Sequence, residues 1–488
     1  MSRFATPLPP NGSMGGLLTL RGTTASGPQT RRRFVRGVVM LILAAVGSGS
    51  MLYYYLAFFT PRVLQAHAAS NLAGGYEFGH DLYPVWLTAH DCIPMPCDPY
   101  SPEMTRKIQQ GLFGRNLDPR IASDPPLEYR AFAYPAFTSL LLWPLSQIPF
   151  PAARVLAVVV LVALTTASVF LWMQALSLRP ASFSMAAIVL LVLGSYPVLE
   201  GLYAGQLGLL VGFLLAASLL ALQRGWPLLA GAIMALTAIK PQMTVLAAVY
   251  LLIWSWHKWR ERGRFCIGLF STILFLISAA MLVWPRWMQS WVASMVGYHH
   301  DAGPALAGEI LHLGTNLRAS AALAAIALLL TLALSWSRRS EATDSVEFWL
   351  TLSLAWCITA VTLLPSQGFQ DQVVLLPGIF LVSYRWRELS STWTYKAVLV
   401  VGAAVMMWPW LAAFGLIASR PLLAAQQGYS RALFALPIRT AAAFPFVLLG
   451  ALALSLRHPR RSSLRSASPS CDLGSEDQRS KDLTTENG

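Results

Sequence analysis

Two aspartates, Asp81 and Asp91, stand ten residues apart in FGHDLYPVWLTAHD, each directly after a histidine. A carboxylate within reach of a substrate hydroxyl can take its proton while a new bond forms, the work of a general base. The same residue ahead of a helical-looking segment can instead cap it, since Asp is favoured there. The residues alone leave both readings open for Asp81. Lys240, in TAIKPQ, falls between two apolar segments, where a lysine near the bilayer centre costs roughly 2.5 to 3.5 kcal/mol. It either contacts an anionic group or snorkels at a helix end. Arg130, just before FAYPAF (132–137), is a second candidate cation, and Gln206 in YAGQ can bind hydroxyls or join two helices by hydrogen bonds. Cys92 and Cys97 share the same acidic, aromatic loop, and a disulfide there is expected if that loop lies outside the cell.

These residues must be positioned by a chain that otherwise avoids charge. Only 12% of its 488 residues are charged, 55% are hydrophobic, and the mean hydropathy is +0.53. A soluble globular chain carries about 25% charged residues. Apolar runs of roughly 17 to 25 residues recur along the length, each enough to cross about 30 Å of hydrocarbon as a helix. The pattern is that of an all-α, polytopic membrane protein; barrel strands would be about ten residues long with polar alternation. The formal charge of +14 does not imply nucleic acid, because the basic residues cluster beside apolar runs: RRRFVR (31–36), HKWRERGR (257–264), SRR (337–339), YRWRE (384–388) and RHPRR (457–461). Such clusters mark cytoplasmic ends under the positive-inside rule.

Residues 1–33 read as a disordered cytoplasmic N-terminus, 34–456 as the membrane domain and 457–488 as a disordered cytoplasmic tail. TRRRFVR and QAHA (65–68) mimic an export signal and its cleavage site, but the run from Phe34 to Phe59 is too long for one. An uncleaved first helix then leaves 60–131 as a long first extracytoplasmic loop, with further outer loops at 285–317 and about 418–433. Six apolar candidates separate the first loop from HKWRERGR, where an odd number of crossings is needed. Either 226–256 is one helix bent at Lys240-Pro241, or one short segment enters and returns. Both solutions give about 12 transmembrane helices with N- and C-termini cytoplasmic.

The order of motifs resembles glycosyltransferase family 87 of the C-type membrane glycosyltransferases, some of which are mannosyltransferases using polyprenyl-phosphate sugars. The resemblance runs over about residues 35–400. It is carried by Asp81, Tyr83-Pro84-Val85-Trp86 and Pro99-Tyr100 in the first loop, then FAYPAFTSLLLWPL (132–145), Gly205-Gln206 and AGAIMALTAIKP (230–241). It implies a fold of about a dozen helices, a polyprenyl-phosphate sugar donor between them, and a lipid or glycan acceptor approaching from outside. It implies that Asp81 is the catalytic base of one inverting displacement, with Asp91 next in line. Lys240 and Arg130 become expected contacts of the donor phosphate, and Tyr83, Tyr134, Gln206, His299, His300 and Asp371 expected substrate-binding residues. His299 and His300 lie in an outer loop that helps bind substrates in this superfamily. QGFQD (367–371) departs from the aromatic or histidine-bearing stretch of many relatives, with Asp371 in its place.

No cofactor, metal or nucleic acid is expected, and the 17 tryptophans fit an interfacial belt. The expected setting is a bacterial plasma membrane with the active site extracytoplasmic. The competing readings are a lipid-linked-sugar flippase, which would place ionisable residues at mid-helix, and a non-catalytic subunit of envelope assembly.

Overall fold

A computed structural model describes residues 28–457 of the chain, apart from 69, 96, 128, 367 and 420–434. No strand occurs among the described residues; the order of elements is helical throughout. The first helix starts at Pro28, earlier than its apolar run. Helix α1 (Pro28–Tyr54) continues through a π-helical turn, Tyr55–Phe59, into α2 (Thr60–Ala68). The first loop then folds into a cap. It holds a 3-10 turn (Ala73–Tyr76), α3 (Tyr83–Cys92) and α4 (Pro102–Phe113), whose N-cap Ser101 accepts from the Met104 N–H. A Cys92–Cys97 disulfide, 4.8 Å between Cα atoms, closes the turn between α3 and α4.

There follow α5 (Phe137–Ser146), α6 (Phe150–Ala175), α7 (Ser182–Leu193), α8 (Tyr196–Ala204), α9 (Gly208–Gln223), α10 (Pro227–Leu236), α11 (Val245–His257) and α12 (Trp259–Val283). Helices α13 (Trp287–Ala302) and α14 (Leu306–Ile310) return to the cap, where Trp291 Nε1 donates to the Ala133 carbonyl at 3.1 Å. The remainder is α15 (Leu317–Ser337), α16 (Val346–Thr362), a 3-10 helix (Phe369–Leu375), α17 (Leu376–Tyr384), α18 (Trp386–Leu389), α19 (Trp393–Ala418), α20 (Leu436–Arg439) and α21 (Phe444–Arg457). The expected outer loop at 418–433 lies almost wholly outside the described residues.

The parity problem has a structural answer. Helix α5 does not pass through the bundle. It begins beside Tyr134 and ends near Ile148, whose carbonyl accepts from Trp86 Nε1 of α3 at 3.1 Å, so both its ends stay with the cap. Its ten residues span about 15 Å, half of a bilayer core. The segment 132–149 therefore keeps to the cap, the arrangement expected of a short segment that does not cross. Six helices are long and apolar enough to cross a membrane, or seven with the α7–α8 pair, bent by 57°, taken as one span, and six shorter apolar helices accompany them among the described residues.

Length separates two kinds of helix. Helices α6 and α12 have 26 and 25 residues, about 38 Å of rise, whereas α10 and α11 have 10 and 13. At the end away from the cap the short helices reach the same level as the long ones. Gln223 Nε2 donates to the Thr343 carbonyl, Trp254 Nε1 to the Glu341 carbonyl, and Arg224 to Gln174 of α6. At the other end the short helices stop early. That recesses a polar cluster among the longer helices, beneath the cap.

Candidate active site

Asp81 is held by two glycine turns pressed together. Gly79 and Gly205 both have positive φ (83° and 74°), a conformation that costs glycine little. Gly205 ends α8, and a β-carbon there would lie 2.9 Å from Leu82 Cβ and 3.7 Å from Gly79 Cα. This approach lets the two free carbonyls at the end of α8 accept from the loop: Gly79 N–H to Tyr203 O at 2.8 Å, Asp81 N–H to Ala204 O at 3.0 Å. Helix α3 is capped by Leu82 without a side-chain bond. The Asp81 carboxylate is thus not spent as a helix cap and points into the recess instead.

There it begins a chain of alternating charge. Arg130 Nη1 donates to Asp81 Oδ1 at 2.5 Å, and Gln206 Nε2 donates to Asp81 Oδ2 at 2.5 Å. The Gln206 carbonyl in turn accepts from Lys240 Nζ at 2.8 Å and Tyr134 Oη at 3.3 Å. Lys240 Nζ also meets both oxygens of Asp371, at 2.7 and 3.0 Å. Asp81 and Arg130 side chains are each 17% exposed, Lys240 and Asp371 only 6% and 3%. The series Arg130, Asp81, Gln206, Lys240, Asp371 therefore runs from the accessible floor of the recess into the protein.

Each member is placed by local backbone rules. Proline after Lys240 bars the helical region to it, so α10 gives way to 3-10 turns and Lys240 adopts φ −130°, ψ 77°. Asp371 lies in the first turn of the 3-10 helix, against Gly208 at the start of α9, where a β-carbon would strike its Oδ1. Arg130 has φ 64°, donates Nη2 to the Gly75 carbonyl, and lies over the rings of Tyr76 and Tyr129.

Burial pushes the Asp81 carboxyl up, but the neighbouring His80 and Arg130, the Gln206 bond and Lys240 outweigh it and hold it below the usual carboxylate range. It is ionised at neutral pH. Burial lowers His80 instead. Its ring can donate Nδ1–H to the Glu77 carbonyl at 2.7 Å, with Nε2 3.5 Å from Asp81 Oδ1.

Five of the residues singled out in the sequence thus form one chain, with Tyr134 bonded to its centre. Lys240 does not snorkel; it is buried and ion-paired. Tyr83 is elsewhere, packed against Trp86 and Phe150 on the cap. Residues 299 and 300 fall in α13, and their side chains lie outside the described residues. Among the described residues no group of three or more His, Cys, Asp or Glu is placed to hold a metal ion. Sequence reasoning did not single out Glu200, which lies inside α8 in the apolar run YPVLEGLYA. Its signal was legible, a lone acid in an apolar run, as was that of His80 beside Asp81.

The helical passages and the recessed charged chain define the class first: a polytopic membrane protein with a polar site built beneath its cap. Residues 132–366, a little under half of the chain, match glycosyltransferase family 87. The match and the helical architecture support a membrane glycosyltransferase. The matched segment carries Tyr134, Gln206 and Lys240, whereas Asp81 lies before it and joins them only in space. Among curated proteins none matches the chain.

Proposed function

We propose that the chain transfers a hexose, mannose in the simplest case, from a polyprenyl-phosphate donor to a lipid or glycan acceptor, with Asp81 as general base. The observation that carries this is an ionised carboxylate at the accessible end of the recess, fixed by Arg130 and Gln206. The acceptor hydroxyl oxygen bonds to the anomeric carbon on the face opposite the phosphate, and its proton passes to Asp81. The bond from that carbon to the phosphate oxygen breaks and polyprenyl phosphate leaves with the electron pair, so configuration inverts. Each Asp81 oxygen uses one lone-pair direction on its partner and keeps another for the hydroxyl. A phosphate leaves without needing an acid; cationic stabilisation suffices, and Arg130 and Lys240 are the cations in reach. Asp371 and Lys240 also act as positioning residues, because they orient the Gln206 amide so that its N–H faces Asp81.

The distribution of charge supports the site facing outward in a bacterial plasma membrane. Arg31, Arg36, Arg224, Lys258, Arg260, Arg338, Arg339 and Arg387 gather at the end away from the cap, where the positive-inside rule places the cytoplasm. On that orientation both described ends of the chain are cytoplasmic. The test is to incubate purified protein in liposomes with polyprenyl-phosphate mannose labelled in the sugar, and with a membrane lipid extract. Label should move to an extract component with wild type and not with Asp81→Asn; retained transfer by the Asn variant would remove Asp81 from the mechanism.

A further inference from the structure

Helix α8 does more than anchor the Asp81 loop. One turn before its last residue, Ala204, it carries Glu200, and the Oε2 of Glu200 is buried without a hydrogen-bond partner. An acid inside a membrane-spanning segment is expensive to keep and is by default a functional group. The hydroxyls of Tyr196 and Tyr55 stand near its carboxyl. Tyr55 opens the π-helical turn of the first span, a rare element frequent at functional sites. A second buried acceptor faces the same seam. The 3-10 helix packs along α8, with Gln370 Cβ 3.3 Å from the point where Gly201 would carry a β-carbon, and the Oε1 of Gln370 also lacks a partner. Phe369 and Tyr196 lie against each other there, ring centroids 5.5 Å apart.

Two buried oxygens without a partner, Glu200 Oε2 and Gln370 Oε1, walled by aromatic rings, suit a ligand that brings hydroxyl donors together with an apolar face. A sugar ring has both. From these contacts we infer that Glu200, with Gln370, binds hydroxyls of the donor's hexosyl ring, and so selects which sugar lipid is used. The inference rests on the lipid-donor reading above. It assigns the donor ring rather than the acceptor because Glu200 lies one turn deeper in the bundle than the end of α8, on the bilayer side of Asp81. The acceptor arrives from the side of the cap. Glu200 touches no reacting bond in this arrangement; it determines specificity.

The test measures binding, not turnover, on full-length protein in nanodiscs by intrinsic tryptophan fluorescence. The probes are polyprenyl-phosphate mannose, its 2-, 3-, 4- and 6-deoxy analogues, and polyprenyl phosphate without sugar. In wild type the sugar-bearing lipid should bind more tightly than the bare one, and at least one deoxy analogue should bind about 10- to 100-fold more weakly, as leaving the buried Glu200 oxygen unpartnered requires. In Glu200→Gln the affinity for the mannosyl lipid should fall towards that of the deoxy analogue, while bare polyprenyl phosphate binds as before. Gln370→Ala, which leaves the carboxyl in place, gives a second and milder case. An unchanged deoxy pattern in Glu200→Gln, or equal binding of sugar-bearing and bare lipid by wild type, overturns the inference. Sugar-selective binding without any transfer would instead defeat the proposed reaction and leave the subsite standing.

Discussion

The dipeptide His-Asp occurs twice in the first loop, and the two copies have opposite surroundings. Asp81 is paired with Arg130, each side chain 17% exposed, and bonded to Gln206, itself tied to the buried Lys240–Asp371 pair. Asp91, ten residues later on the same loop, pairs with Lys107 and His90, which are 59% and 52% exposed. Burial raises the Asp91 carboxyl and its His90 and Lys107 contacts bring it down, the same direction as at Asp81. A depressed carboxyl is therefore not what distinguishes a site. The distinction is that the partners of Asp81 are largely buried and each held by a further polar contact, whereas Lys107 and His90 are more than half exposed, His90 only stacked on Trp86. An exposed pair of that kind adds about 0.2 to 1 kcal/mol; a preorganised chain of partners lets a carboxylate keep its aim while substrates change.

The sharpest way to break this comparison is to neutralise both acids. Asp81→Asn should lower transfer by about 10²- to 10⁴-fold, with an unfolding temperature close to wild type, since Asn keeps the shape. Asp91→Asn should leave transfer unchanged. A large loss from the Asp91 variant, in protein that melts normally, would reverse the assignment of the two.

Next in size is the buried end of the chain. Lys240→Met leaves Asp371 buried and unpaired, and breaking such a pair costs about 3 to 5 kcal/mol, read as a drop in the thermal unfolding midpoint. The double change Lys240→Met/Asp371→Leu should recover most of that stability, yet transfer should stay low because Gln206 has lost its anchor. Full recovery of both would make the pair purely structural.

The pH profile gives a finer test. Asp81 titrates below the usual carboxylate range, so its ionised form, and the stability that goes with it, are present above that range and lost only as pH falls through the lowered value. Transfer limited by Asp81 should therefore be level from neutral pH down through the ordinary carboxylate range. In Arg130→Gln, where a cation that lowers it is gone, the acid limb should move to higher pH. An unmoved limb would mean that Arg130 does not set the charge of Asp81.

The smallest effects are expected on the Asp91 side. Removing the Cys92–Cys97 bridge by a double change to Ser frees a closed loop of about six residues, worth about 2 kcal/mol in the chain-entropy account. The cost should appear in unfolding of the cap and not in the affinity for a polyprenyl-phosphate sugar. A matching loss of donor affinity would tie the α3–α4 turn to the site.

Much of this protein follows from order along the chain. Hydropathy alone determines a polytopic helical bundle, because only continuous apolar helices satisfy their backbone in lipid, and run length is visible without a fold. Lys240 before Pro241 marks a broken helix by the same local logic, since proline excludes the helical region from the residue before it. The sequence also singled out Lys240, as a charge whose apolar neighbours make it costly, and Asp81, Arg130, Gln206 and Asp371 by residue type and motif. It did not determine that they touch. Asp81 and Gln206 are 125 positions apart, Lys240 and Asp371 131, and pairing over such separations depends on how helices pack. Nor could hydropathy show that α5 keeps to the cap, since a ten-residue apolar helix along the cap and one inside a bilayer have the same composition. Whether Asp81 capped a helix or faced a recess hung on the close approach of Gly79 and Gly205. That contact exists only once α8 has delivered its final carbonyls to the loop, so tertiary structure alone decided it.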